Sequence, residues 1–207
     1  TISENRAKEL GTTAGAALRR GFFIGDGTGV GKGREIAAII LDNLRRGRKK
    51  HVWVSEKQGL FKDAKRDLRG IGGPDDALFQ HSSTKADGAI KAKDGVLFTT
   101  YSMLRSEARA PAGAKGKTRV EQIAEWLGPD FDGVIVFDEA HNAGNAQAVK
   151  GTRGATKPAK QALAVVELQD RLPNARVVYV SATGATEVSN LSFANRLGIW
   201  GPGTAFP

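Results

Sequence analysis

Five short apolar runs rich in β-branched and aromatic residues recur along the chain, at 21–24 (GFFI), 52–55 (VWVS), 96–100 (VLFTT), 134–137 (VIVF) and 177–181 (VVYVS). Most do not alternate with polar residues. A strand with one wet face shows that alternation, whereas a strand covered by helices on both faces reads as a continuous apolar run, so the pattern predicts a parallel sheet between helical layers. Between the runs, 33–46, 58–69, 118–127 and 160–172 have helical length, and Val165, Leu168 and Leu172 share one helix face. Strand, helix, strand in alternation specifies an open α/β fold of the doubly wound kind. Two stretches break the rhythm. Residues 109–119 (RAPAGAKGKTR) and 142–160 (NAGNAQAVKGTRGATKPAK) are rich in Gly, Ala, Lys and Arg and read as surface loops.

Composition narrows the class further. The 207 residues are 40% hydrophobic and 26% charged, ordinary for a globular chain and enough for one generous domain or two small ones. The absence of cysteine excludes disulfides and thiolate metal sites. No apolar run approaches the roughly 18 to 20 residues that span a bilayer, so no membrane role is expected. The chain starts at Thr1 and its single methionine is Met103, which suggests a piece of a longer product.

The first strand runs into a glycine-rich turn, GFFIGDGTGVGKGR over 21–34, with Lys32 opening a helix. Glycines let such a loop curl and aim successive N–H groups at phosphate oxygens at a helix N-terminus, while the lysine adds charge for the β and γ phosphates. Against the pattern G-x-x-x-x-G-K-[ST], Asp26 stands at the first glycine and Gly33 at the Ser/Thr whose hydroxyl usually ligates magnesium. The second departure leaves the metal without its usual ligand; Thr28 is one possible substitute.

Two further strand ends carry chemistry. VIVFDEAHN (134–142) delivers adjacent carboxylates, Asp138 and Glu139, at the end of a buried strand. One can hold magnesium through water while the other orients and deprotonates an attacking water. His141 is close enough in sequence to couple this pair to a neighbour. VVYVSATGATE (177–187) places the small hydroxyls Ser181 and Thr183 after another strand, where they can relay hydrogen bonds or simply cap a helix. In open parallel sheets ligands sit beyond the carboxyl ends of the strands, where all three motifs fall.

In this order the motifs are similar to those of superfamily 2 helicases and translocases, whose first RecA-like domain carries a phosphate loop, a DExH box and an SAT motif. GFFIGDGTGVGKGREIAAII, HVWVSEKQGLFKDAKRDLRGIG, GVLFTTYSML, FDGVIVFDEAHNAGN, LQDRLPNARVVYVSATGATE and NRLGIWGPGTAFP resemble, more narrowly, the AAA-type ATPase domain of strawberry notch proteins. The family also has glycine then arginine after the lysine, as with Gly33 and Arg34. The resemblance implies a three-layer RecA-like P-loop NTPase domain with a mostly parallel central sheet over 21–207, a helical lead-in over 1–20, and a second RecA-like domain that this sequence lacks. It implies ATP and Mg²⁺ as cofactors. Asp26, Gly27, Thr28, Gly29, Val30, Gly31, Lys32, Gly33 and Arg34 would hold the triphosphate, Asp138 the metal, and Glu139 would be the base. His141, Ser181 and Thr183 would couple nucleotide state to nucleic acid, and Ser55, Thr99 and Thr100 would lie where helicases contact its backbone. An adenine-reading glutamine is not visible, since residues 1–20 contain none.

The net charge of +9 favours a polyanionic partner. The densest basic run, Arg45, Arg46, Arg48, Lys49 and Lys50, ends the helix that begins at the phosphate loop, so it belongs at the opposite sheet edge as helix C-terminal charge. Lys150, Arg153, Lys157 and Lys160 follow the strand of Asp138 and are the better candidates for phosphate contacts. Few aromatics are available for stacking, so the expected partner is nucleic acid read through its backbone, with DNA preferred over RNA. The sequence thus points to the ATPase motor half of a helicase-related protein. The alternative is a non-catalytic nucleic-acid or chromatin-binding adaptor, motivated by Gly33. An Ala- and Gly-rich composition leans towards a bacterial or phage source and the cytoplasm, with the nucleus the compartment of a eukaryotic member.

Overall fold

The computed structural model describes residues 21–85, 88–106, 116–144, 150–151, 154–155, 159–183 and 191–199. Its centre is a six-stranded sheet of β1 (Phe22–Ile24), β2 (Lys50–Ser55), β3 (Leu78–Gln80), β4 (Gly95–Thr100), β5 (Val134–Asp138) and β8 (Arg176–Val180), in the order β1-β8-β5-β2-β4-β3. Every adjacent pair is parallel. A separate antiparallel pair joins β6 (Lys150–Gly151) to β7 (Gly154–Ala155) within the stretch expected to be loop.

Successive strand residues point to opposite faces, and both faces are covered. Val134, Val136, Val178 and Val180 pack with Ile36, Ala37 and Ile40 of α1 (Lys32–Arg45) and with Ala64 and Leu68 of α2 (Phe61–Gly70). Ile135, Phe137, Val177 and Tyr179 face the other way, against Tyr101 and Leu104 of α3 (Tyr101–Leu104), Ile123 of α4 (Arg119–Leu127), and Val165 and Leu168 of α5 (Lys160–Arg171). This is the three-layer α/β sandwich, and the expected face of α5 holds, with Val165, Leu168 and Leu172 all buried.

Local chemistry sets the element ends. Thr118 caps α4 through a capping box with Glu121. Gly31 stands before α1 at φ +105°, a backbone that a side chain would strain. The edge strand β3 and the one-turn helix α3 were not anticipated: three and four residues are too short to show a period. The lead-in over 1–20 lies outside the described residues.

The basic run does more than complement a helix end. Arg48 donates to Asp132 at 3.0 Å, Lys50 Nζ donates to the Trp126 carbonyl near the end of α4 at 2.6 Å, and Arg46 pairs locally with Asp42 at 2.7 Å.

Candidate active site

The carboxyl ends of β1, β5 and β8 bring together the three motifs. After β1, residues 25–31 form an exposed loop in which Gly29 (φ +81°) and Gly31 (φ +105°) take left-handed backbone. Lys32, the first residue of α1, folds back over this loop and donates to the carbonyls of Asp26 at 3.0 Å and Gly27 at 2.6 Å. The ammonium therefore sits over the turn it would share with a bound phosphate. Asp26, Thr28, Val30 and Arg34 are all exposed around it.

At the end of β5 the half-buried Asp138 is held from the neighbouring strand β2 and from α3. Ser55, last in β2, donates its hydroxyl to Asp138 Oδ2 at 3.0 Å, and the fully buried Tyr101, just past β4, donates to the Asp138 carbonyl at 2.8 Å. Burial raises the Asp138 carboxyl above the ordinary aspartate range; the Ser55 hydrogen bond works against that rise, and the Glu139 charge adds to it. Burial beside these two carboxylates also drives the Tyr101 phenol well up, so it stays a donor.

Glu139 has left-handed backbone, φ 51° and ψ 51°, unique for a non-glycine residue among those described. Such a residue costs of order 1 kcal/mol or more and persists only where its surroundings hold it. Here the Asp138 Oδ1 accepts the Glu139 N–H at 3.0 Å, while the Glu139 carbonyl accepts both the backbone and the side-chain N–H of Asn142 at 3.0 Å.

His141 links this turn to the third motif. Its Nδ1 lies 3.1 Å from Ser181 Oγ and 3.4 Å from Glu139 Oε2. Ser181 gives its single hydroxyl proton to the Thr183 carbonyl at 2.9 Å, so the histidine Nδ1 must be the donor, and Nε2 is left to accept from Asn142 at 3.4 Å. His141, Ser181 and Thr183 thus form one hydrogen-bonded chain between β5 and β8, with the Glu139 carboxylate beside its histidine end.

At three of the positions expected to contact nucleic acid the side chain is buried. Ser55 is buried against Asp138, Thr99 is buried against His81 Nδ1 at 3.1 Å, and Thr100 is buried with its hydroxyl capping α3 through the Met103 N–H. Their side chains are committed inside the domain because β2 and β4 are interior strands of the sheet, each with a strand on either side. Arg153 and Lys157 lie outside the described residues. Lys150 falls in β6, and Lys160, first in α5, is exposed.

Two contributions went unread in the sequence. Ser55 orients Asp138 across a separation of 83 positions, and the carboxylate of Asp67 in α2 fills the space beside Gly33 that a side chain there would need. Neither has a local signature. Among the described residues no three His, Asp or Glu side chains cluster as a metal cage. One strand-end carboxylate beside a phosphate loop does fit magnesium, which is held by one or two carboxylates, its waters and substrate phosphates.

A family model described as a P-loop containing NTP hydrolase matches residues 3–207, and strawberry notch homolog 1 of Gallus gallus is 52% identical over 197 residues, covering 91% of this chain. The chain belongs to the strawberry notch family. Protein strawberry notch of Drosophila melanogaster is 47% identical over 193 residues, and Protein FORGETTER 1 of Arabidopsis thaliana 43% over 192. The chain spans 15%, 11% and 14% of the lengths of these three relatives. All three are eukaryotic, so the strawberry notch relatives lend no support to the expected bacterial or phage source. Among solved structures, the SWI2/SNF2 ATPase core of Sulfolobus solfataricus in complex with dsDNA has a TM-score of 0.55 at 18% identity, covering 96% of this chain and 35% of that one. The UvsW helicase of bacteriophage T4 has a TM-score of 0.57 at 14% identity, with coverages of 96% and 57%. Together with the family match these likenesses establish the fold, a RecA-like P-loop NTPase domain. No described helix is long and apolar enough to cross a membrane.

Proposed function

We propose that this chain binds ATP with Mg²⁺ and is the hydrolysing half of a helicase-related motor that acts on nucleic acid. The observation that carries the reading is the meeting of Lys32 and its glycine loop with Asp138, held by Ser55, and Glu139, in left-handed backbone, at one edge of a parallel sheet. When the triphosphate arrives, Lys32 exchanges the Asp26 and Gly27 carbonyls for phosphate oxygens, and the loop N–H groups surround them. Asp138, kept in place by Ser55, takes the metal side, where the ion would draw charge from the phosphates. Glu139, next along the turn, receives the proton of the attacking water. His141 passes the state of Glu139 to Ser181 and Thr183 on β8.

The proposed partners are nucleic acid, contacted through its backbone with DNA preferred over RNA, and a second RecA-like domain of the same protein. The dsDNA complex of the SWI2/SNF2 neighbour supports the first. The compartment follows the source, the nucleus in a eukaryote and the cytoplasm in a bacterium or phage-infected cell.

The test uses the full-length protein, with phosphate release measured with and without DNA. Lys32→Ala should lose nucleotide binding and turnover, and Glu139→Gln should retain nucleotide but lose turnover. Wild-type turnover in both variants would sink the proposal. DNA binding indifferent to ATP and to Lys32→Ala would favour the adaptor instead.

A further inference from the structure

The glycine at position 33 removes the hydroxyl that a phosphate loop ordinarily offers to the metal. The structure puts another oxygen in its place. Asp67 lies on α2 beside the buried Leu68, at the seam where α2 packs on α1, and its side chain is 15% exposed. A Cβ built on Gly33 would run into Asp67 Oδ2, with Asp67 Cγ 3.2 Å and Asp67 Cβ 3.8 Å away. The carboxylate therefore occupies the volume of a serine or threonine side chain at this position, and the glycine is what admits it.

Charge makes the placement informative. A carboxylate next to a loop built for a polyanion opposes binding unless a cation stands between them. Arg66 meets only the other oxygen, Oδ1, at 3.3 Å, and is itself 69% exposed. Oδ2, the oxygen over Gly33, has no hydrogen-bond donor among the described residues. Magnesium keeps several of its waters when bound, so a carboxylate can hold it through them.

We propose that Asp67 replaces the missing hydroxyl of the phosphate loop, holding the hydration shell of the divalent cation that accompanies the triphosphate. The proposal rests on the reading of residues 26–34 as an ATP site. A carboxylate near the first turn of α1 would also favour the helix dipole, but that role changes stability and leaves metal dependence alone.

The experiment titrates Mg²⁺, and Mn²⁺ followed by its electron paramagnetic resonance signal, into full-length protein with a fluorescent, non-hydrolysable ATP analogue. Wild type should bind the analogue more tightly as metal is added. Asp67→Asn, nearly isosteric, should bind the metal-free analogue at least as well and raise the half-saturating metal concentration by about 10- to 100-fold. Combining Gly33→Ser with Asp67→Ala should recover most of the metal response, because the hydroxyl returns to its usual position. An Asp67→Asn protein with wild-type metal dependence overturns the proposal while leaving the ATP site intact. Analogue binding that ignores Lys32→Ala overturns the ATP-site reading, and this proposal with it. Should Asp67→Asn fail to fold, Asp67→Ala, which removes the carboxylate beside Gly33 altogether, takes its place; a wild-type metal response there overturns the proposal as well.

Discussion

The two edges of the sheet are built on opposite terms. At the amino edge, Asp132 just before β5 accepts from Arg48 at 3.0 Å and from Arg176 at 3.2 Å, and Lys50 lies over the Trp126 ring, 5.3 Å from its centroid, while bonding that residue's carbonyl. His51 takes the Val134 N–H on Nδ1 at 3.0 Å and gives its Nε2 proton to the Arg48 carbonyl at 2.8 Å. Every partner there comes from the protein. At the carboxyl edge, Lys32 rests on loop carbonyls, Glu139 sits in strained backbone, and the loop over 25–31 is exposed. Charges satisfied internally stabilise a fold, whereas charges held part-satisfied are poised for a ligand.

The strongest way to break this contrast is at the carboxyl edge. Lys32→Ala and Glu139→Gln should each lower turnover by about 10²- to 10⁴-fold with little change in urea midpoint. If either variant instead unfolds, the edge is structural and the contrast fails.

Acidification probes the buried histidines next. Burial lowers both His51 and His81 to about 4, Arg48 and Arg119 adding to the effect. Between pH 6.5 and 4 the unfolded chain binds protons that the folded one does not, so stability is complete above about pH 6.5 and falls as pH drops. The loss approaches about 1.4 kcal/mol per pH unit for each histidine. Urea midpoints measured from pH 7.5 to 4.5 should show this slope, and His81→Gln should flatten it.

Asp132→Asn tests the amino edge directly. Burial alone would raise the Asp132 carboxyl, but hydrogen bonds from Arg48 and Arg176 outweigh it and hold the group low. Because these groups are partly solvated, the expected cost is only about 1 to 2 kcal/mol in unfolding, with nucleotide affinity unchanged. A drop in affinity would show that the two edges are coupled.

The smallest effect is expected for Ser55→Ala. Asp138 loses the hydrogen bond that opposes its upward shift, so the acid limb of the turnover profile should move to higher pH, by an amount equivalent to about 1 kcal/mol or less. An unmoved limb would remove Ser55 from the site.

Much of this was legible from local pattern. The runs ending at Ser55, Thr100 and Phe137 are strands because their residues must be buried on both faces, and the glycine loop before Lys32 announces itself by spacing. The fate of Ser55, Thr99 and Thr100 was not legible. A hydroxyl at a strand end looks available in sequence, and only the neighbouring strand shows that Asp138 or His81 already holds it.

By itself the sequence determined the alternation of strand and helix, the parallel sheet, and the three motifs at its carboxyl edge, because each depends on residues within a few positions of one another. The tertiary structure alone decided the strand order, the short edge strand β3, the closing of the amino edge around Asp132, and the meeting of Gly33 with Asp67. Those features join residues distant along the chain, and packing, which no local period encodes, determines which of them touch.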